Sequence, residues 1–208
     1  MTVLDIGANI GYFTLLAGRA TGPTGKVHAF EPDPRNAWHL KHNVSLAGHL
    51  PWTEVVQKGL WHENGTIQLV HSEDSCGGHS MAVSAAAGEP GVSTVEVATV
   101  TLDDYLGDAS NVDVIKMDAE GAEPYIFDGM PKTLQANPEL SILLEYCPTH
   151  LSGVSIDPTS HLQRLEGMGF SLGLIDYDAS IKPLTPATID RVLGDRPTPV
   201  MLMLRRGA

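Results

Sequence analysis

The chain has 208 residues and a formal net charge of −12, from 13 Lys and Arg against 25 Asp and Glu. That length can bury one substantial core, while a surface of that sign repels phosphate backbones and anionic membranes; no run of about five or six basic residues offsets it, so neither nucleic acid nor membrane is an expected partner. Two cysteines, Cys76 and Cys147, are too few for a disulfide framework and fit a reducing, cytoplasmic setting, and neither a signal-peptide pattern nor an apolar run of about 18 residues is read in the chain.

The first strand is Thr2 to Ile6. Because the chain opens inside that strand, the expectation is a single domain over residues 1–208 that is minimal or truncated at its N-terminus. Gly11 to Ala20 has helical spacing at Phe13, Leu16, Ala17 and Ala20, and the Thr21-Gly22-Pro23-Thr24-Gly25 run ends it. Lys26 to Phe30 reads as the second strand. A second helix follows, with Asp33 as its cap and Pro34 in the first helical position; Ala37, Leu40 and Val44 line its inner face. A third strand falls near Thr53 to Gln57.

Asn64-Gly65, between Leu60-Trp61 and Ile67 to Val70, predicts a two-residue hairpin, since both residues tolerate positive φ. Residues 72–92 are rich in Gly, Ser and Ala and read as a flexible active-site loop. Alternation then resumes: strand at Val95 to Val100, short helix at Leu102 to Leu106, strand at Asp113 to Met117, helix near Ala122 to Asp128, strand at Leu140 to Glu145, helix at Thr159 to Met168, and strands at Ser171 to Ile175 and Val200 to Leu204. This pattern predicts an α/β domain with a mostly parallel sheet, antiparallel additions and helices on both faces. Ligand belongs beyond the carboxyl ends of the strands, where strand order reverses.

The sharpest local signal is Asp5-Ile6-Gly7-Ala8-Asn9-Ile10-Gly11. Gly7 and Gly11 let backbone approach a ligand, and Asn9 tolerates the left-handed region. Glu31, 24 residues beyond Gly7, ends the second strand, where a carboxylate accepts both ribose hydroxyls of an adenosine. These features alone also suit NAD. Asp5 argues against it, because an acid before the loop repels a pyrophosphate but attracts the ammonium group of a sulfonium ligand. Tyr12 follows the loop and is expected to border the same pocket.

The run from Val3 to Thr14, together with Phe30-Glu31-Pro32 and Lys116-Met117-Asp118-Ala119-Glu120-Gly121-Ala122-Glu123, closely resembles the FkbM-type S-adenosylmethionine-dependent methyltransferases. Leu102-Asp103-Asp104-Tyr105 and Gly77-Gly78-His79-Ser80 are similar to that family's intervening segments. The resemblance implies a three-layer class I methyltransferase (Rossmann-like) fold with a seven-stranded sheet, S-adenosylmethionine as cofactor, and in many members O-methylation of a carbohydrate or natural-product hydroxyl.

Catalysis at a hydroxyl needs a group that orients it and takes its proton. Asp118 is the first candidate; Lys116 is a candidate to stabilise oxyanion charge, with Glu120 assisting, Glu145 ending a neighbouring strand, and His79 a candidate base in the glycine-rich loop. Asp118 with Glu145 has oxygen ligands suited to magnesium, but a metal is not favoured. Cys76-x-x-His79 and Cys147-x-x-His150 supply zinc-compatible atoms, yet neither neighbourhood resembles a compact knuckle. Trp38, Trp52 and Trp61 are read as covering helix or hairpin surfaces. The expectation is thus an O-methyltransferase acting on a hydroxyl of a small or sugar-like molecule, with a non-catalytic methyltransferase-like binding module and an NAD-dependent oxidoreductase as alternatives.

Overall fold

A computed structural model describes residues 1–72, 92–107, 111–184 and 199–206. The expected first half forms as β1 (Thr2–Ile6), α1 (Tyr12–Thr21), β2 (Lys26–Phe30), α2 (Pro34–Leu46) and β3 (Thr53–Val56). Asp33 caps α2 as predicted, its Oδ1 accepting the Arg35 and Asn36 amide hydrogens at 2.9 and 2.8 Å. Such a cap contributes about 1 kcal/mol. The chain continues through β4 (Gly59–Leu60), β5 (Gly65–Ser72), β6 (Val92–Val100), α3 (Leu102–Leu106), β7 (Val114–Met117), α4 (Glu123–Asp128), α5 (Pro131–Ala136), β8 (Ser141–Tyr146), α6 (Pro148–Gly153), α7 (Pro158–Gly167), β9 (Phe170–Ile175), β10 (Ile181–Pro183) and β11 (Val200–Arg206).

The main sheet has the order β10-β9-β11-β8-β7-β1-β2-β3, eight strands rather than seven because β10 adds an edge. From β3 to β8 the pairs are parallel; β11 runs antiparallel between β8 and β9. Neighbouring residues of β2 point to opposite faces. Ala29 packs with Leu40 and Val44 of α2. Phe30 joins Leu4, Ile6, Ile115, Met117, Ile126, Phe127, Leu162 and Leu165 on the face covered by α4 and α7.

The predicted hairpin is corrected. β4 pairs in parallel with β6, and β5 pairs antiparallel with β6, so β4 and β5 are not neighbours. Neither Asn64 nor Gly65 has the positive φ a two-residue turn requires. The Asn64 side chain instead donates to Asp104 Oδ2 at 2.7 Å and accepts the Thr101 amide hydrogen at 2.9 Å, pinning this corner to the start of α3. Most of residues 72–92, including Cys76 and His79, lies outside the described residues.

One consequence of register positions the site. Ile6 aligns with Phe30 on one side and Met117 on the other, and Met117 aligns with Leu144. Gly7, Glu31, Asp118 and Glu145 are therefore the next residues at the carboxyl edge of four adjacent strands, spanning the point where strand order reverses.

Candidate active site

A cleft open to solvent lies at that edge. Gly7, Asn9, Glu31, Asp118 and Glu120 line it, with Phe30, Leu60 and Leu69 as an apolar wall and Asn36 and Lys58 at polar positions. Gly7 has φ 70°, and a Cβ built there would lie 1.7 Å from the Asp118 carbonyl oxygen. Only glycine fits that approach. Gly7 and Ala8 donate their amide hydrogens to Phe30 O at 3.1 and 2.9 Å, while Gly11, at φ 101°, lies against Leu40. Asn9 takes φ 50°, the left-handed conformation expected of it.

Glu31 is 5% exposed. Its Oε2 accepts the Asn9 amide hydrogen at 2.7 Å and its Oε1 that of Asp33 at 2.9 Å. Burial pushes its carboxyl up to about 7, against the lowering effect of those two bonds. It thus fixes the loop after β1 to the start of α2 while facing the cleft.

Asp5 is fully buried and does not line the cleft. Its Oδ2 accepts from Thr14 Oγ1 at 2.5 Å, and its Oδ1 is 3.5 Å from Lys116 Nζ. Burial raises its pKa, with Lys116 opposing. Lys116 itself is 6% exposed. Its ammonium donates to Gly7 O at 2.9 Å, lies 3.3 Å from Asp118 Oδ2, and sits 5.1 Å from the centre of the Phe13 ring. Asp5 thus acts on the cleft through Lys116, and Lys116 joins the loop after β1 to the end of β7. An oxyanion role would compete with those bonds.

Beyond β7 the turn is built from Glu120 at φ 52° and Gly121 at φ 100°. Glu123 holds it: its carboxylate accepts the Ala119 and Gly121 amide hydrogens at 2.8 and 3.0 Å. Burial pushes Glu123 up to about 7 despite these bonds. Glu120 Oε2 lies 3.1 Å from His150 Nδ1 of α6; burial raises the Glu120 pKa and His150 opposes. Glu145 is pushed up to about 8 by burial, then by its hydrogen bond with Asp118 and the charges of Asp118, Glu120 and Glu123. Asp118, Glu120 and Glu145 therefore come together, as the sequence suggested.

The donor set fits S-adenosylmethionine: an acid at the end of β2 for a ribose, an apolar wall for adenine, and a cleft floor of carboxylates suited to a cationic ligand. The methyltransferase FkbM domain matches residues 5–172. The chain belongs to the FkbM methyltransferase family. Its fold is shared by a putative rRNA methylase from Clostridium thermocellum (TM-score 0.59, 10% identity, 100% of this chain and 87% of that one). A precorrin-6y C5,15-methyltransferase from Geobacter metallireducens GS-15 is also similar (TM-score 0.54, 12% identity, 100% and 80%), as is a putative O-methyltransferase from Klebsiella pneumoniae (TM-score 0.56, 13% identity, 99% and 73%). Among curated proteins, none matches significantly. Membership in the FkbM family decides for S-adenosylmethionine over NAD.

Within this FkbM domain, Tyr12 is 69% exposed and does not line the cleft. Trp38 is exposed on α2, Trp52 Nε1 donates to Gly18 O at 2.9 Å, and Trp61 stacks on Tyr125 at 4.1 Å; none borders the cleft. Cys147 is buried, its Sγ 3.1 Å from Thr149 Oγ1, and His150 turns to Glu120 instead of a thiolate. Sequence reasoning missed Glu123, Asn36, Lys58 and the pairing of His150. Glu123 had a usable signal: an acid two residues past a glycine and followed by Pro124, where a helix begins. His150 had none, because its partner is in another segment. No helix among the described residues is long and apolar enough to cross a membrane.

Proposed function

We propose that this domain transfers the methyl group of S-adenosylmethionine to a hydroxyl of a neutral, small or sugar-like molecule. The observation carrying this reading is the row of carboxyl groups at the ends of β7 and β8, with Asp118 facing the cleft beside the loop after β1. The bound cofactor supplies an electrophilic methyl carbon on a sulfonium. Asp118 accepts a hydrogen bond from the acceptor hydroxyl and takes its proton as the oxygen attacks. The Lys116 ammonium at 3.3 Å keeps Asp118 oriented. Glu31 receives the ribose hydroxyls, and Gly7 and Asn9 give the cofactor close access to backbone.

Carboxylates at the acceptor end favour uncharged or cationic molecules over phosphorylated ones, and the net charge of −12 works against RNA. The test incubates the protein with S-adenosylmethionine and panels of sugars, hydroxylated natural products and structured RNA, reading S-adenosylhomocysteine. Turnover on a hydroxyl compound, lost in Asp118→Asn while calorimetry still detects cofactor binding, is the expected result. Turnover on RNA alone would sink the small-molecule reading. Cofactor binding without turnover on any panel would favour a binding module.

A further inference from the structure

We propose that Glu120, Glu145 and His150 form a binding site for one divalent transition-metal cation at the acceptor end of the cleft. One ligand atom from each lies within 4.8 Å of the others, although the residues come from three segments: the turn after β7, the end of β8, and α6. Bonds of about 2.0–2.2 Å to a common ion, set at right angles, place two donors about 3 Å apart; Glu120 Oε2 and His150 Nδ1 are 3.1 Å apart. Bonds set opposite one another reach about 4.4 Å, so small rotations bring the widest pair into range.

A separate observation concerns Asp118. It follows Met117 as Glu145 follows Leu144, and those two residues align across β7 and β8, so the two acids stand at adjacent strand ends. Neighbouring carboxylates repel one another, and a cation between them offsets that repulsion. Lys116 cannot serve Glu145 freely, since its ammonium holds Gly7 O and Asp5 as well as Asp118. A cation on Glu145 relieves the repulsion and leaves Asp118 to the acceptor hydroxyl.

The backbone sets this arrangement without the ion. Glu120 and Gly121 both have positive φ, and a Cβ at Gly121 would lie 3.2 Å from His150 O. The absence of that side chain lets α6 settle on the turn and brings His150 to Glu120. Two carboxylate oxygens with one imidazole nitrogen suit Mn²⁺, Fe²⁺ or Zn²⁺ better than magnesium or calcium, which favour all-oxygen shells. The sequence paired Asp118 with Glu145 for magnesium and His150 with Cys147 for zinc, neither favoured; the fold instead gathers Glu120, Glu145 and His150.

The ion's part in the reaction, though not its binding, rests on the methyl-transfer reading: it would draw electron density from the acceptor hydroxyl and ease its deprotonation. The test titrates the full chain with Mn²⁺, following loss of the free-ion electron paramagnetic resonance signal, with Zn²⁺ as competitor. One saturable site per chain is expected, weakened at least about tenfold in Glu145→Gln, His150→Ala and the milder His150→Gln. Calorimetry with S-adenosylhomocysteine on the same variants verifies that they remain folded. No saturable site, or equal affinity in all variants, would overturn the proposal. A metal site without S-adenosylhomocysteine binding would instead defeat the methyl-transfer reading and leave the metal site standing.

Discussion

At the scale of the residue, Glu31 combines two demands that pull its chemistry in opposite directions. It is buried enough to hold its proton up to about 7, and it accepts two backbone hydrogen bonds that suit the carboxylate. A carboxylate receiving ribose hydroxyls does so ionised. Below about 7 the free protein carries the proton and ligand must expel it, so affinity falls with acid; above about 7 the slope disappears. Calorimetry with S-adenosylhomocysteine from pH 5.5 to 8.5 should show a fall approaching about tenfold per unit on the acid side. Glu31→Gln should flatten the profile. Gly7→Ala has a different origin: with φ 70° and a Cβ 1.7 Å from Asp118 O, the methyl forces the two loops apart. A loss of about 3 kcal/mol, read from the denaturant midpoint, is expected. Both residues were legible in the sequence, because a glycine before a helix and an acid at a strand end are local signals. The engagement of Lys116 was not, since it joins Gly7 and Asp118 across more than a hundred residues of chain.

At the scale of the element, the strands were legible wherever four to six apolar and β-branched residues ran together, and α1, α2 and α7 wherever a face repeated. The six-residue helices α5 and α6 escaped because less than two turns leaves little periodicity to read and, unlike the similarly short α3 and α4, neither is needed to complete the strand–helix alternation. What anchors α5 was nevertheless visible as a motif without an assigned purpose. Asp103 in α3 accepts the Lys132 and Thr133 amide hydrogens at 2.9 and 2.8 Å, and Thr133 Oγ1 at 2.8 Å, so it caps α5 from outside. Asp103→Ala should cost about 1–2 kcal/mol and lower the melting temperature by roughly 2–8 °C, as scanning calorimetry can measure. The hairpin failed for a related reason. Asn64 has the composition of a turn, but its amide is occupied by Asp104 and Thr101, partners no short window contains.

At the scale of the whole molecule, strand order is the feature sequence pattern could only bound. β11 enters between β8 and β9 after the chain has passed both, a pairing with no local signature. The reversal between β1 and β7 was foreseeable, since alternating strands and helices build it, and it locates the cleft. Ligand seated there touches loops from several strands, so its binding free energy should appear as global stability. With S-adenosylhomocysteine at a hundred times its Kd, about 2.7 kcal/mol is gained and the melting temperature should rise by roughly 5–11 °C; NAD at equal concentration should leave it unchanged.

The contact between Gly7 and Asp118 has a kinetic corollary. Because the loop proposed to hold the donor rests on the backbone of the residue proposed to receive the acceptor, and Lys116 grips both, the two ligands would share one mechanical unit. Coupling of this kind is reciprocal: by the factor that donor tightens acceptor, acceptor tightens donor. The spent cofactor is then held in place by fresh acceptor, and turnover should slow again at high acceptor concentration as this stalled pair accumulates.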